Sequence, residues 1–136
     1  MDVWKSLLAV LTLAACDGTM ADLEDARGKW RAAAIANYAF DLHETGYLPP
    51  QPSTHVTVQN GRVTGVAAIP PNPVAGRSLS QAPTIEMLFD KIEDELRGDA
   101  DVTATWDQTL GFPVSAYFDL GFENTGFQVL AFQAAR

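Results

Sequence analysis

The sequence predicts an α+β domain, an antiparallel sheet of about six strands with two helices packed on one face. Three observations carry this. Two stretches, near residues 22–37 and 84–98, have apolar residues at helical spacing between a start and a stop signal. Asn60-Gly61 joins two runs rich in β-branched residues, Val56-Thr57-Val58-Gln59 and Arg62-Val63-Thr64-Gly65-Val66. Several other segments alternate apolar and polar residues, which is strand period. The expected order is α-β-β-β-α-β-β-β.

For the first helix, Asp22 is the expected cap and Glu24 and Asp25 suit the positive end of the helix dipole. Leu23, Ala26 or Arg27, Trp30 and Ala34 form its stripe, and Asn37 ends it. Tyr38, Phe40 and Leu42 then alternate with Ala39, Asp41 and His43 as a strand. A proline-rich turn, 46–52, leads to the Asn-Gly hairpin. That turn is expected to be type I′, because both central residues must tolerate positive φ. Pairing outward sets Val58 opposite Val63, and Gly65 marks a bulge that returns Val66 to the core.

Residues 70–83 carry Pro70, Pro71, Pro73, Gly76 and Pro83. This exceeds the ~4–6 residues of an ordinary connection and reads as a lid or a mobile loop. Thr84 caps a second helix with the stripe Ile85, Leu88, Phe89, Ile92 and Leu96, stopped by Gly98. Val102, Ala104 and Trp106 begin the next strand, and the chain turns at Gly111. Residues 114–119 and 127–132 supply two more strands. Trp30, Phe89, Trp106, Tyr117 and Phe132 are expected in the core. The halves share an element order without a residue-level repeat.

The N-terminus reads as an address. Residues 1–16 are MDVWKSLLAVLTLAAC: a lone Lys5, an apolar run from Leu7 to Leu13, then Ala14 and Ala15 before Cys16. The run falls short of the ~20 apolar residues that span a bilayer and has the layout of an export signal. Leu13-Ala14-Ala15-Cys16 resembles the lipobox of bacterial lipoproteins. That resemblance implies cleavage after residue 15 and lipidation of Cys16, where two or more acyl chains give stable anchoring. The expected division is a signal peptide at 1–15, a tether at 16–21 and one domain at 22–136. The domain would lie outside the cytoplasm, held on the cell membrane or the outer membrane. In enteric-type sorting, an aspartate at Asp17 resembles an inner-membrane retention signal.

The chain carries a formal net charge of −8 and 47% hydrophobic residues. Such an acidic chain argues against nucleic-acid binding, and the composition argues for a folded globule. Cys16 is the single cysteine, so no internal disulfide is expected.

Trp30 with Asn37-Tyr38-Ala39-Phe40, VTVQNGRVTGV (56–66), TIEMLFDKIEDEL (84–96) and GFPVSAYFD (111–119) occur in this order along the chain. In these blocks the chain resembles domain-of-unknown-function family 6174, a group of small exported bacterial proteins and lipoproteins. The resemblance runs from Trp30 onward and implies fold and location, with no activity attached. Members often carry cysteines just before the Pro-Pro of the first turn. Here that place reads Gly46-Tyr47-Leu48, so the resemblance implies no redox role for this turn.

Few residues suggest chemistry. If the strands around 38–43 and 55–59 pair, His43 and His55 share the face away from the core, with Glu44 close. Two imidazoles and a carboxylate suit zinc or copper, and would support metal-assisted hydrolysis. Asp90, Glu93, Asp94 and Glu95, with Asp99 and Asp101 beyond, read as a solvated acidic face without calcium-loop spacing. Ser78 and Ser80 lack a nucleophile elbow. Arg27, Lys29 and Arg31 make a small basic spot near the lipidated end. With no catalytic constellation, no enzyme activity and no cofactor are expected. The leading expectation is a lipid-anchored envelope module that binds a protein or a small ligand. The rivals are a metal-dependent hydrolase using His43, His55 and Glu44, and an inhibitor or assembly factor presenting the 70–83 loop.

Overall fold

The computed structural model describes residues 19–46, 53–69 and 79–135. Residues 1–18, where the export signal and Cys16 lipidation are expected, residues 47–52 of the expected proline turn, and residues 70–78 of the expected long loop, with Ser78, lie outside the described residues. The order is α1 (Met20–Ala33), β1 (Tyr38–Thr45), β2 (Thr54–Gln59), β3 (Arg62–Ala68), α2 (Ile85–Arg97), β4 (Asp101–Trp106), β5 (Pro113–Asp119) and β6 (Asn124–Ala134). The strands form one six-stranded sheet in the order β3-β2-β1-β6-β5-β4, and every neighbouring pair is antiparallel. This is the α+β architecture expected from the sequence. The halves are not equivalent: β1, after α1, is central, whereas β4, after α2, is an edge.

The first helix starts earlier than its sequence suggests. Thr19 is the N-cap and its hydroxyl accepts from the Asp22 amide, while the Asp22 carboxylate accepts from the Thr19 amide. Asp22 thus sits at the third helical position of a capping box, two orphan N–H groups being satisfied at once. The helix ends at Ala34, in the left-handed region with φ 51°, three residues before Asn37. The second helix follows its signals, with Thr84 accepting from the Met87 amide and Gly98 at the C-cap.

The hairpin also forms. Asn60 and Gly61 have φ of 52° and 75° and Val58 pairs with Val63, but the extra residue of the bulge is Thr64 rather than Gly65, which pairs with Thr57 and leaves Val66 opposite Val56. A second irregularity lies on β6. Ala131 has φ 52°, and the β1–β6 register shifts between Ala39 and Asp41. The extra residue turns Phe132 back toward the core, where it stacks on Phe112 (4.3 Å between centroids) and Tyr38 (5.5 Å).

Both helices cover one face of the sheet. Phe40, Val56, Ala116 and Phe118 from the strands meet Ile85, Phe89 and Ile92 from α2 and Trp30 from α1. Burying an aromatic such as Phe40 or Phe89 completely contributes ~1.5–3 kcal/mol. Tyr117 departs from expectation, being 42% exposed. Ala116 and Phe118 set the buried parity of β5, so the pleat turns Tyr117 to the opposite face.

The acidic cluster and the basic spot meet each other. Arg27 reaches from α1 to Glu93 (2.7 Å) and Asp90 (3.0 Å) on α2, with its guanidinium 5.3 Å from the Phe89 ring centre. Lys29 bonds the Gln108 carbonyl at 3.4 Å. Asp90 and Glu93 therefore join the helices rather than forming a purely solvated face. The Arg27 hydrogen bond holds the Glu93 carboxyl below the ordinary glutamate range, against desolvation and with help from Arg97. A depressed folded value means stability that is present above the unfolded value of ~4.3 and lost as pH falls through the folded one. Melting between pH 6 and pH 3 is therefore expected to show an acid-side loss that shrinks in Glu93→Gln.

Candidate functional site

With the helices on one face, the outer face of the sheet stays open, and strand register arranges it in rows. Asp101, Asp119 and Asn124 lie side by side across β4, β5 and β6. Thr103, Tyr117, Gly126 and Thr45 form the next row, across β4, β5, β6 and β1. Thr105, Ser115, Gln128 and His43 follow, then Leu130, Asp41 and His55. Hydroxyls, amides and carboxylates dominate this surface.

A cleft of about 360 Å³ opens over the first two rows, lined by Thr45, Asp101, Thr103, Tyr117, Asp119 and Asn124 among others. Tyr117 is the exposed aromatic residue among them. A Cβ at Gly126 would fall 2.6 Å from Tyr117 Cδ1 and 3.2 Å from Cε1, so the ring lies over a strand position that only glycine leaves clear. The Tyr117 hydroxyl accepts from Gln128 Nε2 at 3.2 Å. Gly126 and Gln128 together fix the ring against the outer face of the sheet, where Tyr117 stays 42% exposed. At the rim, Asp119 Oδ1 accepts from the Gly121 amide at 2.8 Å. The Asn124 amide, oriented to satisfy its bonds, donates to the same oxygen at 2.8 Å.

The expected histidine site only half assembles. β1 and β2 pair, and His43 and His55 do share the outer face. Each imidazole is committed: His55 Nδ1 donates to Asp41 Oδ1 at 2.6 Å, and His43 Nδ1 lies 2.8 Å from Ser53 Oγ. Glu44 corrects the reading. It pairs with the buried Phe127 and has the parity of Phe40 and Leu42, so the pleat sends it away from the histidines. Among the described residues, no group of three or more His, Cys, Asp or Glu is placed to hold a metal ion. Ser80 lies in the exposed turn that leads into α2, whereas both histidines are on the outer sheet face.

Sequence reasoning missed Thr45, Thr103, Asp119 and Asn124 and misplaced Tyr117. One signal was present. A glycine inside the β6 pattern, opposite an aromatic, marks a ring laid across a strand. Using it required the β5–β6 register.

Among the described residues, no helix is long and apolar enough to cross a membrane. No curated protein and no solved structure matches the chain. A family model does match it, over residues 22–125, which takes in every cleft residue named above. The chain therefore belongs to the family that this model describes, the family of unknown function DUF6174.

Proposed function

We propose that this chain is a lipid-anchored, non-catalytic binding module of the bacterial cell envelope, tethered through Cys16, with the outer sheet face as its binding surface. The observation that carries the binding part is the cleft of about 360 Å³ over an outward-facing Tyr117. A concave site with convergent polar groups is the default place for a small ligand. Exposed aromatics anchor protein contacts as well, so the same face suits an envelope partner. The anchor part rests on the Leu13-Ala14-Ala15-Cys16 tetrad and on the apolar run before it.

The hydrolase alternative has lost Glu44 from its ligand set, and the loop-presenting alternative rests largely on residues outside those described. Neither gains an observation in its favour. Labelled palmitate separates the anchor from simple export. Wild-type chain is expected to incorporate label and to fractionate with membrane, and Cys16→Ser to do neither. Membrane fractionation that survives Cys16→Ser would contradict the anchor.

A further inference from the structure

The cleft has a chemistry of its own that narrows what it holds. Among its described lining residues Tyr117 is the exposed aromatic, and the face of such a ring is electron-rich at its centre. A partner that stacks there needs a flat surface of weakly positive C–H groups. The walls then supply hydrogen bonding of mixed sign. Asp101, Asp119 and the Asn124 carbonyl oxygen accept, and the hydroxyls of Thr45 and Thr103 both donate and accept. That mixture matches a ring bearing many hydroxyls, each of which donates and accepts.

The alternatives fit less well. Among the described residues no lysine, arginine or histidine lines the cleft, so an anionic ligand meets two carboxylates and no counter-charge there. A quaternary ammonium is held best by an aromatic cage. Among the described lining residues Tyr117 is the one exposed ring, because the Phe118 side chain is buried on the helix side. At about 360 Å³ the cleft lies near the small end of the ~300–1,000 Å³ typical of ligand sites.

We infer that the cleft binds a neutral saccharide, one sugar ring stacking on the outward face of Tyr117 while its hydroxyls bond Asp101, Asp119, Asn124 and the flanking threonines. This rests on the reading of the outer face as the binding surface and names the ligand class for it. Tyr117 is the stacking residue, and Gly126 and Gln128 are positioning residues that act through it.

The test is a titration of the isotope-labelled mature protein, held in a polyoxyethylene detergent that has no sugar headgroup, followed by two-dimensional amide spectra. The probes are cellobiose, chitobiose, tetramethylammonium chloride and inorganic phosphate. A disaccharide is expected to shift the amides of Thr103, Tyr117 and Gly126 with a dissociation constant on the order of 1 mM. Tyr117→Ala is expected to weaken binding about tenfold, and Tyr117→Phe to retain it within about threefold, because the stacking face survives. Tyr117 is exposed, and an unchanged spectrum away from the cleft certifies that each variant folds. If tetramethylammonium or phosphate shifts these amides and neither sugar does, the saccharide class is overturned while the cleft stands as a binding site. If no probe shifts them, the saccharide inference and the small-ligand role of the cleft fall together.

Discussion

Replacing Gly111 by alanine is expected to destabilise the domain by about 3 kcal/mol. Gly111 turns the chain between β4 and β5 with φ of 82°, where an L side chain is strained by roughly 1–2 kcal/mol. Space makes matters worse. A Cβ there would fall 2.2 Å from the Ala26 carbonyl oxygen and 2.8 Å from Lys29 Cβ, so α1 would have to lift off the turn. The obstacle is backbone, which cannot swing aside as the end of a flexible side chain can. Lifting α1 also disturbs Trp30, which packs edge-on against Tyr38 (5.3 Å) and Phe112 (6.4 Å). Urea unfolding of wild type and Gly111→Ala measures the loss. A midpoint shift worth less than ~1 kcal/mol would mean that α1 does not sit on the turn as described.

Glu86→Ala is expected to cost ~1–2 kcal/mol. The Glu86 carboxylate, in the first turn of α2, accepts from Trp30 Nε1 at 2.9 Å and from the Tyr38 hydroxyl at 3.5 Å. The Tyr38 oxygen in turn accepts from the Ile85 amide at 2.9 Å, which satisfies an N–H at the start of α2. One carboxylate thus ties together α1, β1 and α2. Truncating it takes the carboxylate acceptor from the Trp30 indole N–H, and because Glu86 is exposed and water can replace it the loss is ~1 kcal/mol. It also removes a negative charge from a helix N-terminus, at ~0.3–1 kcal/mol. Burial, opposed by the Ile85 hydrogen bond and reinforced by the Glu86 charge, holds the Tyr38 phenol well above its ordinary range. A raised folded value means stability that is complete below the unfolded value of ~10 and lost as pH rises beyond it. Chemical unfolding at neutral pH gives the cost of Glu86→Ala, and melting of wild type above pH 10 should reveal the alkaline loss.

The sequence carried most of the element order because its strongest signals are local. Thr84 and Gly98 bracket α2, and Asn60-Gly61 specifies its hairpin, through backbone chemistry that needs no distant partner. The start of α1 was less legible. Thr19 and Asp22 are both good caps, and only the reciprocal bonds between them make Asp22 the third helical residue. The β6 bulge at Ala131 has no glycine to announce it. The Arg27 contacts to Asp90 and Glu93 join residues more than 60 positions apart, so charge pattern alone read them as two separate surfaces.

The site was least legible, for a related reason. It lies on β1, β4, β5 and β6, and the β1–β6 pairing that brings Thr45 beside Gly126 joins the two halves of the chain. Adjacent aromatics at Tyr117 and Phe118 fit either parity of β5 in the sequence; Tyr117 is the expected core residue, whereas Ala116 and Phe118 are the buried pair. The histidines were placed on the correct face, but one residue of pleat separates Glu44 from that face. The partner that His55 finds is Asp41, directly across from it on β1.

The central claim is that the outer sheet face, and not the helix face, is the working surface. Photo-crosslinking in intact cells tests it most directly, with a photoreactive residue at the exposed Thr103 on the outer face or at the exposed Asp94 on α2. The account predicts light-dependent adducts from position 103 that are lost with Tyr117→Ala, and none from position 94. Adducts from position 94 with none from position 103 would contradict it.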